Sequence, residues 1–180
     1  YAEIDVTAAA EGVYVNTIPA GTLSAVVGGG SVTNADPATA TLRVKMPVVI
    51  HKAIGGFTLD TGNPGGFATG EASRAPGAAA PLVIRLENPN ADNLTEAALT
   101  DNLPTGLVVA IVPAAATTCA GGTVMADASA TSIRLTGATI PANGFCTVTV
   151  NVLSNIAGTY TNQIASGALT TFEGVGNEEQ

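Results

Sequence analysis

The sequence predicts an all-β chain, an antiparallel sandwich in tandem repeat, on three observations. Apolar residues alternate with polar ones at period 2, and no helical stripe survives a count. Gly, Pro and Asn punctuate the alternating runs at regular spacing. Residues 1–34 also recur, without a gap, as residues 147–180. At that one offset Val6, Gly12, Tyr14, Asn16, Ile18, Gly21, Leu23, Gly28 and Gly30 answer to Val152, Gly158, Tyr160, Asn162, Ile164, Gly167, Leu169, Gly174 and Gly176. Unrelated stretches of this composition would share roughly three residues, so the match reads as an internal repeat.

In chain order, the first alternating stretch sets Ala2, Ile4 and Val6 on an inward face and Glu3 and Asp5 outward. Its counterpart one repeat later sets Val148, Val150 and Val152 inward and Thr147, Thr149 and Asn151 outward. Between them the runs 38–45, 82–87 and 132–136 alternate in the same way, and each is expected to be a strand. Turn formers close them: Asn88-Pro89-Asn90, Pro104-Thr105-Gly106, Gly121-Gly122 and Pro141-Ala142-Asn143-Gly144. Residues 55–80 differ. Gly55-Gly56, Asn63-Pro64-Gly65-Gly66 and Pro76-Gly77 cut them into pieces too short for normal strands, and a long surface loop is expected. The Met46-Pro47 step marks a module boundary, because proline cannot extend a central strand. Residues 1–46 are therefore read as the C-terminal strands of a preceding repeat. Residues 47–180 are read as one β-sandwich repeat of about seven strands that lacks its last strand.

Composition narrows the function. Hydrophobic residues make up 46% of the 180, mostly Ala and Val, while aromatics are 4% and Trp is absent. Small side chains build thin, close-packed β layers. A formal charge of −8 argues against nucleic acid, whose phosphates require clusters of Lys and Arg. No apolar run approaches the ~18–20 residues that span a bilayer, so no membrane insertion is expected in this segment. Cys119 and Cys146 flank a strand-like stretch of one module, and a pair is the smallest number that closes a disulfide. The alternative is two buried thiols. The disulfide is the favoured reading, and it carries an expectation of an oxidising, extracellular or cell-surface setting.

The run Asn88-Pro89-Asn90, Leu94-Thr95 and Leu99 to Val109, followed by 117–122, Ile140 to Val150 and Gly158 to Asn162, resembles the "conserved repeat domain" of large bacterial surface proteins. That family is a domain of unknown function similar to an immunoglobulin-like sandwich. The resemblance covers residues 81–180, and residues 1–45 as the tail of a preceding copy. It implies an immunoglobulin-like antiparallel β-sandwich, and a role as a spacer in adhesins and cell-surface stalks.

No catalytic constellation emerges, and no enzyme, cofactor or metal is expected. His51 is the only histidine and reads as an ordinary strand-end residue. Gly28-Gly29-Gly30 lacks the Lys-Ser/Thr of a phosphate loop and reads as a hairpin. Glu87, Asn88, Asn90, Asp92, Asn93, Glu96, Asp101 and Asn102 offer oxygen atoms to calcium, but their spacing fits no loop motif and a solvated loop accounts for them. Lys45 and Lys52, near inward-facing strands, raise a Lys–Asn isopeptide crosslink of the kind found in some surface pilins. That requires a buried Lys, an Asn and an acid together, which two lysines at a module junction do not establish. Tyr14 and Tyr160 fill one slot in both copies. A buried ring with its hydroxyl tied to the main chain, as in the tyrosine corner of immunoglobulin sandwiches, is expected for each. Asn16 and Asn162 are expected to satisfy backbone groups in the adjoining loops.

The cut of the repeat carries the last expectation. Ala38, Ala40, Leu42 and Val44 form the apolar face of a strand that the second copy lacks. Leaving that face in water forgoes several kcal/mol of burial. The expected partners are thus copies of the chain or adjacent repeats, paired head to tail by β-addition. The other reading is a ligand-binding adhesin module that recognises a glycan or host protein through the 55–80 loop.

Overall fold

The computed structural model describes residues 3, 5–55, 58–59, 67–68 and 71–178. The described chain is all-β and divides into two compact units, Tyr1–Lys45 and Met46–Gln180.

The first unit holds two antiparallel pairs. β1 (Gly12–Ile18) pairs with β4 (Ala38–Val44) over seven residues, from Gly12 opposite Val44 to Ile18 opposite Ala38. β2 (Ser24–Val27) and β3 (Gly30–Thr33) form a hairpin whose turn places Gly28 and Gly29 at φ of 61° and 84°, a region closed to most side chains. The expected strand at the start of this unit falls in part on residues outside those described, and the described ones carry no strand. Ala2 and Ile4 lie outside the described residues, residues 5–8 carry no strand, and Val6 is 70% exposed. In the second unit the matching stretch is held by a neighbouring strand, and the described residues of the first unit contain no counterpart of that neighbour.

The second unit contains two antiparallel sheets around one core. In the first sheet, β5 (Val49–Ile54) pairs with β8 (Ala80–Asn88), and β8 pairs with β14 (Gly144–Leu153). The far edge of β14 carries the short β10 (Val108–Val109) and β11 (Ala116–Thr117). The second sheet runs β12 (Thr123–Met125), β13 (Ser132–Ile140), β9 (Leu94–Asn102), β15 (Leu169–Thr170). β6 (Thr58–Leu59) and β7 (Phe67–Ala68) make a separate small ribbon. Leu82, Ile84, Leu86, Val148, Val150 and Val152 face Leu94, Leu99, Ile133, Leu135 and Ile140, all nearly inaccessible. Each large aliphatic so buried contributes about 1.5–3 kcal/mol relative to exposure. Strong alternation made β8, β13 and β14 readable from sequence.

β9 hid itself because it is bulged. Glu96 sits at φ 49°, and the pairing with β13 shifts register on either side of Ala138. Inward positions therefore change parity from Leu94 to Ala97, Leu99 and Asp101. A period-2 count across that shift cancels.

Candidate functional site

Three residues from distant parts of the second unit meet inside it. Lys52 shares a strand face of β5 with Ile50, so its alkyl stem enters the interior between the sheets. Asp101 lies on the inward side of β9, beyond the bulge. Asn162 follows Tyr160 by two residues in a segment that carries no strand ladder. Lys52 Nζ lies 2.6 Å from Asp101 Oδ1, with the two side chains 8% and 0% exposed. The other carboxylate oxygen, Oδ2, accepts a hydrogen bond from Asn162 Nδ2 at 3.1 Å. The Asn162 Oδ1 is buried and has no hydrogen-bond partner among the described residues. Burial pushes the Lys52 ammonium below its ordinary pKa, and the neighbouring Asp101 charge and hydrogen bond only partly oppose this. Asn162 thus reaches a side chain, not the loop backbone groups expected of it.

The disulfide Cys119–Cys146 is present, with a Cα separation of 4.9 Å, and both residues are buried. It fastens the chain just after β11 onto β14, where Thr118 N also donates to Thr147 O at 2.9 Å. The oxygen-rich cluster is not a solvated loop throughout. Asn88 and Asn90 are fully buried. Asn88 Oδ1 accepts from Asn90 N and Nδ2, both at 2.9 Å, while Asn90 binds the N–H and C=O of Met46 at 2.7 and 2.9 Å. These oxygen atoms are already engaged. Among the described residues no group of three His, Cys, Asp or Glu side chains is placed to hold a metal. His51 lies on β5 with its Nε2 3.9 Å from Glu87. The 55–80 loop, offered as a ligand surface, lies in large part outside the described residues.

The two tyrosines make the same bond. Tyr14 donates its hydroxyl to Ala10 O at 3.0 Å, and Tyr160 to Ile156 O at 2.9 Å, each four residues upstream. Their rings differ in setting. Tyr160 is half-buried against the core, whereas Tyr14 is 42% exposed, so the expected burial is not met in the first unit. Gly106, at φ 93°, leaves room for the Tyr160 ring; a Cβ there would come within 2.7 Å of it. Two asparagines make a second matching set. Asn34 receives Leu23 N on its Oδ1, donates to Pro19 O, and accepts Gly21 N on its carbonyl. Asn177 does the same with Leu169 N, Ala165 O and Gly167 N. The two asparagines thus make matching bond sets, and the loop that Asn177 closes is three residues shorter than the one closed by Asn34.

The strand faces differ as well. β1 has β4 beside it, yet its counterpart at 158–164 carries no strand ladder. That segment still alternates, with Tyr160 and Asn162 half-buried, Ile164 buried, and Thr159, Thr161 and Gln163 exposed. Ala38 and Ala40 of β4 are exposed, while Leu42 and Val44 are partly covered.

Residues 70–180 match a family described as "Domain of unknown function (DUF7933)". No curated protein matches the chain.

Proposed function

The chain belongs to the DUF7933 family of domains of unknown function, and from its own geometry we propose that it is a structural repeat module of an extracellular bacterial stalk, adhesin or filament, joined head to tail by strand pairing. The carrying observation is the contrast between β1, held by β4, and the ladder-free counterpart at 158–164. A segment with an alternating face and no strand ladder among the described residues is a template for an incoming strand. β4 is the matching donor. One of its edges is taken by β1, and its other edge is unpaired among the described residues.

Other features support this reading. The paired tyrosines and the paired asparagines favour two copies of one unit. Two sheets sharing a core, a tyrosine hydroxyl bonded four residues upstream and a β5-β8-β14 sheet are in keeping with an immunoglobulin-like sandwich. A buried disulfide suits an oxidising, extracytoplasmic place. The resemblance to surface repeat domains supplies the bacterial surface.

Amide hydrogen exchange tests the pairing directly. The amides of 159–164 are expected to exchange quickly in dilute solution and to gain at least about tenfold protection as the concentration rises through the micromolar range. The doubly substituted Ala40→Pro, Thr41→Pro chain, which removes ladder N–H groups on both edges of β4, should lose that gain. Exchange at 159–164 that is independent of concentration would count against strand pairing.

A further inference from the structure

The geometry of Lys52, Asp101 and Asn162 points to a covalent crosslink. An amine and a carboxamide are held on the two oxygens of one buried carboxylate, at 2.6 Å and 3.1 Å. The three lie on β5, on β9 of the other sheet, and on the segment after Gly158, so no local turn brings them together. A plain ion pair between Lys52 and Asp101 gives no reason for Asn162, and a buried ion pair adds little net stability. The carboxamide is also left with its oxygen buried and unpartnered. That oxygen is the atom on which charge gathers when an amide carbon is attacked. We propose that Lys52 and Asn162 join spontaneously in an isopeptide bond, with Asp101 as the proton carrier.

The reaction balances within these three side chains. Asp101 takes a proton from the Lys52 ammonium and leaves a neutral amine with a free electron pair. Removal from water favours this exchange of an ion pair for two neutral groups, and burial already acts on Lys52 in that direction. The electron pair adds to Asn162 Cγ, and the Asp101 acid gives its proton to the carboxamide oxygen as the tetrahedral centre forms. The centre then collapses: Asp101 carries a proton from the Lys52 nitrogen to Nδ2, the Cγ–Nδ2 bond breaks and Nδ2 departs as ammonia, and the hydroxyl proton passes to Asp101 as the carbonyl is restored. Lys52 retains one N–H, Asp101 ends as the neutral acid, and nothing is oxidised or reduced. Proximity is the main driving factor, since fixed neighbours react as though at very high concentration.

The bond would tie β5, the first strand of the unit's two main sheets, to the segment between β14 and β15. Tension along the chain would then pass from residue 52 to residue 162 without loading the sheets between. Asn16 occupies the Asn162 slot in the first copy, so the repeat preserves the acceptor. The crosslink is internal to the second unit, and it stands or falls independently of head-to-tail assembly.

Intact-mass spectrometry of the reduced, purified 180-residue chain decides the question. The expected mass is that of the sequence less one ammonia, about 17 Da, and a digest should yield one branched peptide containing Lys52 and Asn162. Lys52→Arg and Asn162→Ala should each show full sequence mass. Asp101→Asn should form the bond at least about a hundredfold more slowly. A wild-type chain of full sequence mass, whatever the variants do, overturns the crosslink. An Asp101→Asn chain that crosslinks at the wild-type rate overturns the role given to Asp101.

Discussion

Asn90 shows how much of the second unit can hang on one side chain. It is fully buried, clamps both backbone groups of Met46, and is itself clamped by Asn88. Replacing Asn90 with Ala leaves the Met46 groups and the Asn88 oxygen short of partners, at an expected cost of about 2–3 kcal/mol. The check is urea unfolding, where the midpoint should fall with the slope unchanged. A midpoint equal to wild type would contradict this account of the cluster. Sequence alone pointed to a turn at Asn88-Pro89-Asn90 within a solvated, oxygen-rich loop, because a buried asparagine and a solvated one look alike until their partners are known. Lys52 was more legible. A lysine at the same parity as Val48 and Ile50 faces inward, and an inward charge needs a partner. Its partner could not be read off, since the Glu96 bulge reverses the parity that would have placed Asp101 inside. Asn162 was visible through the repeat, although its target was not, because Asp101 is 61 residues away.

At the scale of elements, strands with unbroken alternation were readable and those set by pairing were not. β8, β13 and β14 follow directly from Leu82-Ile84-Leu86, Ile133-Leu135 and Val148-Val150-Val152. The two-residue strands β10 and β11 exist only because β14 offers an edge, and no local pattern announces them. β11 depends further on the disulfide, which pins the chain two residues beyond it. Cys119 and Cys146 are separated by 27 residues. In the chain-entropy model, opening that loop costs about 3.5 kcal/mol. The double variant Cys119→Ala, Cys146→Ala should lose about that much in denaturant unfolding. Unreduced protein, once unfolded, should show no reactive thiol. Two reactive thiols would contradict the bridge.

For the whole molecule, what remains is how the exposed parts of the chain are used. The first unit exposes Val13 at 56%, Val15 at 62% and Val26 at 79%, and its strands form pairs and not a closed core. Two-stranded pairs alone are marginal in water, so this unit gains most from a neighbouring sandwich. At 158–164 the second unit shows an alternating segment with no strand ladder among the described residues. The division into two compact units falls between Lys45 and Met46, at the Met46-Pro47 step. The gap-free alignment sets Asn34 opposite residue 180, while the asparagine with matching bonds is Asn177, as a loop can shorten without disturbing the side chain that closes it. Copies of the chain carry a net charge of −8 and repel one another. Pairing through main-chain hydrogen bonds and apolar side chains should therefore strengthen as salt screens that repulsion. Sedimentation velocity of the 180-residue chain across the micromolar range, at low and at moderate salt, tests head-to-tail assembly most directly. Head-to-tail pairing predicts a distribution that shifts to larger species with concentration, more so in salt, and stays monomeric for the Ala40→Pro, Thr41→Pro chain. A wild-type chain that sediments as a single monomer at every concentration and salt would contradict it.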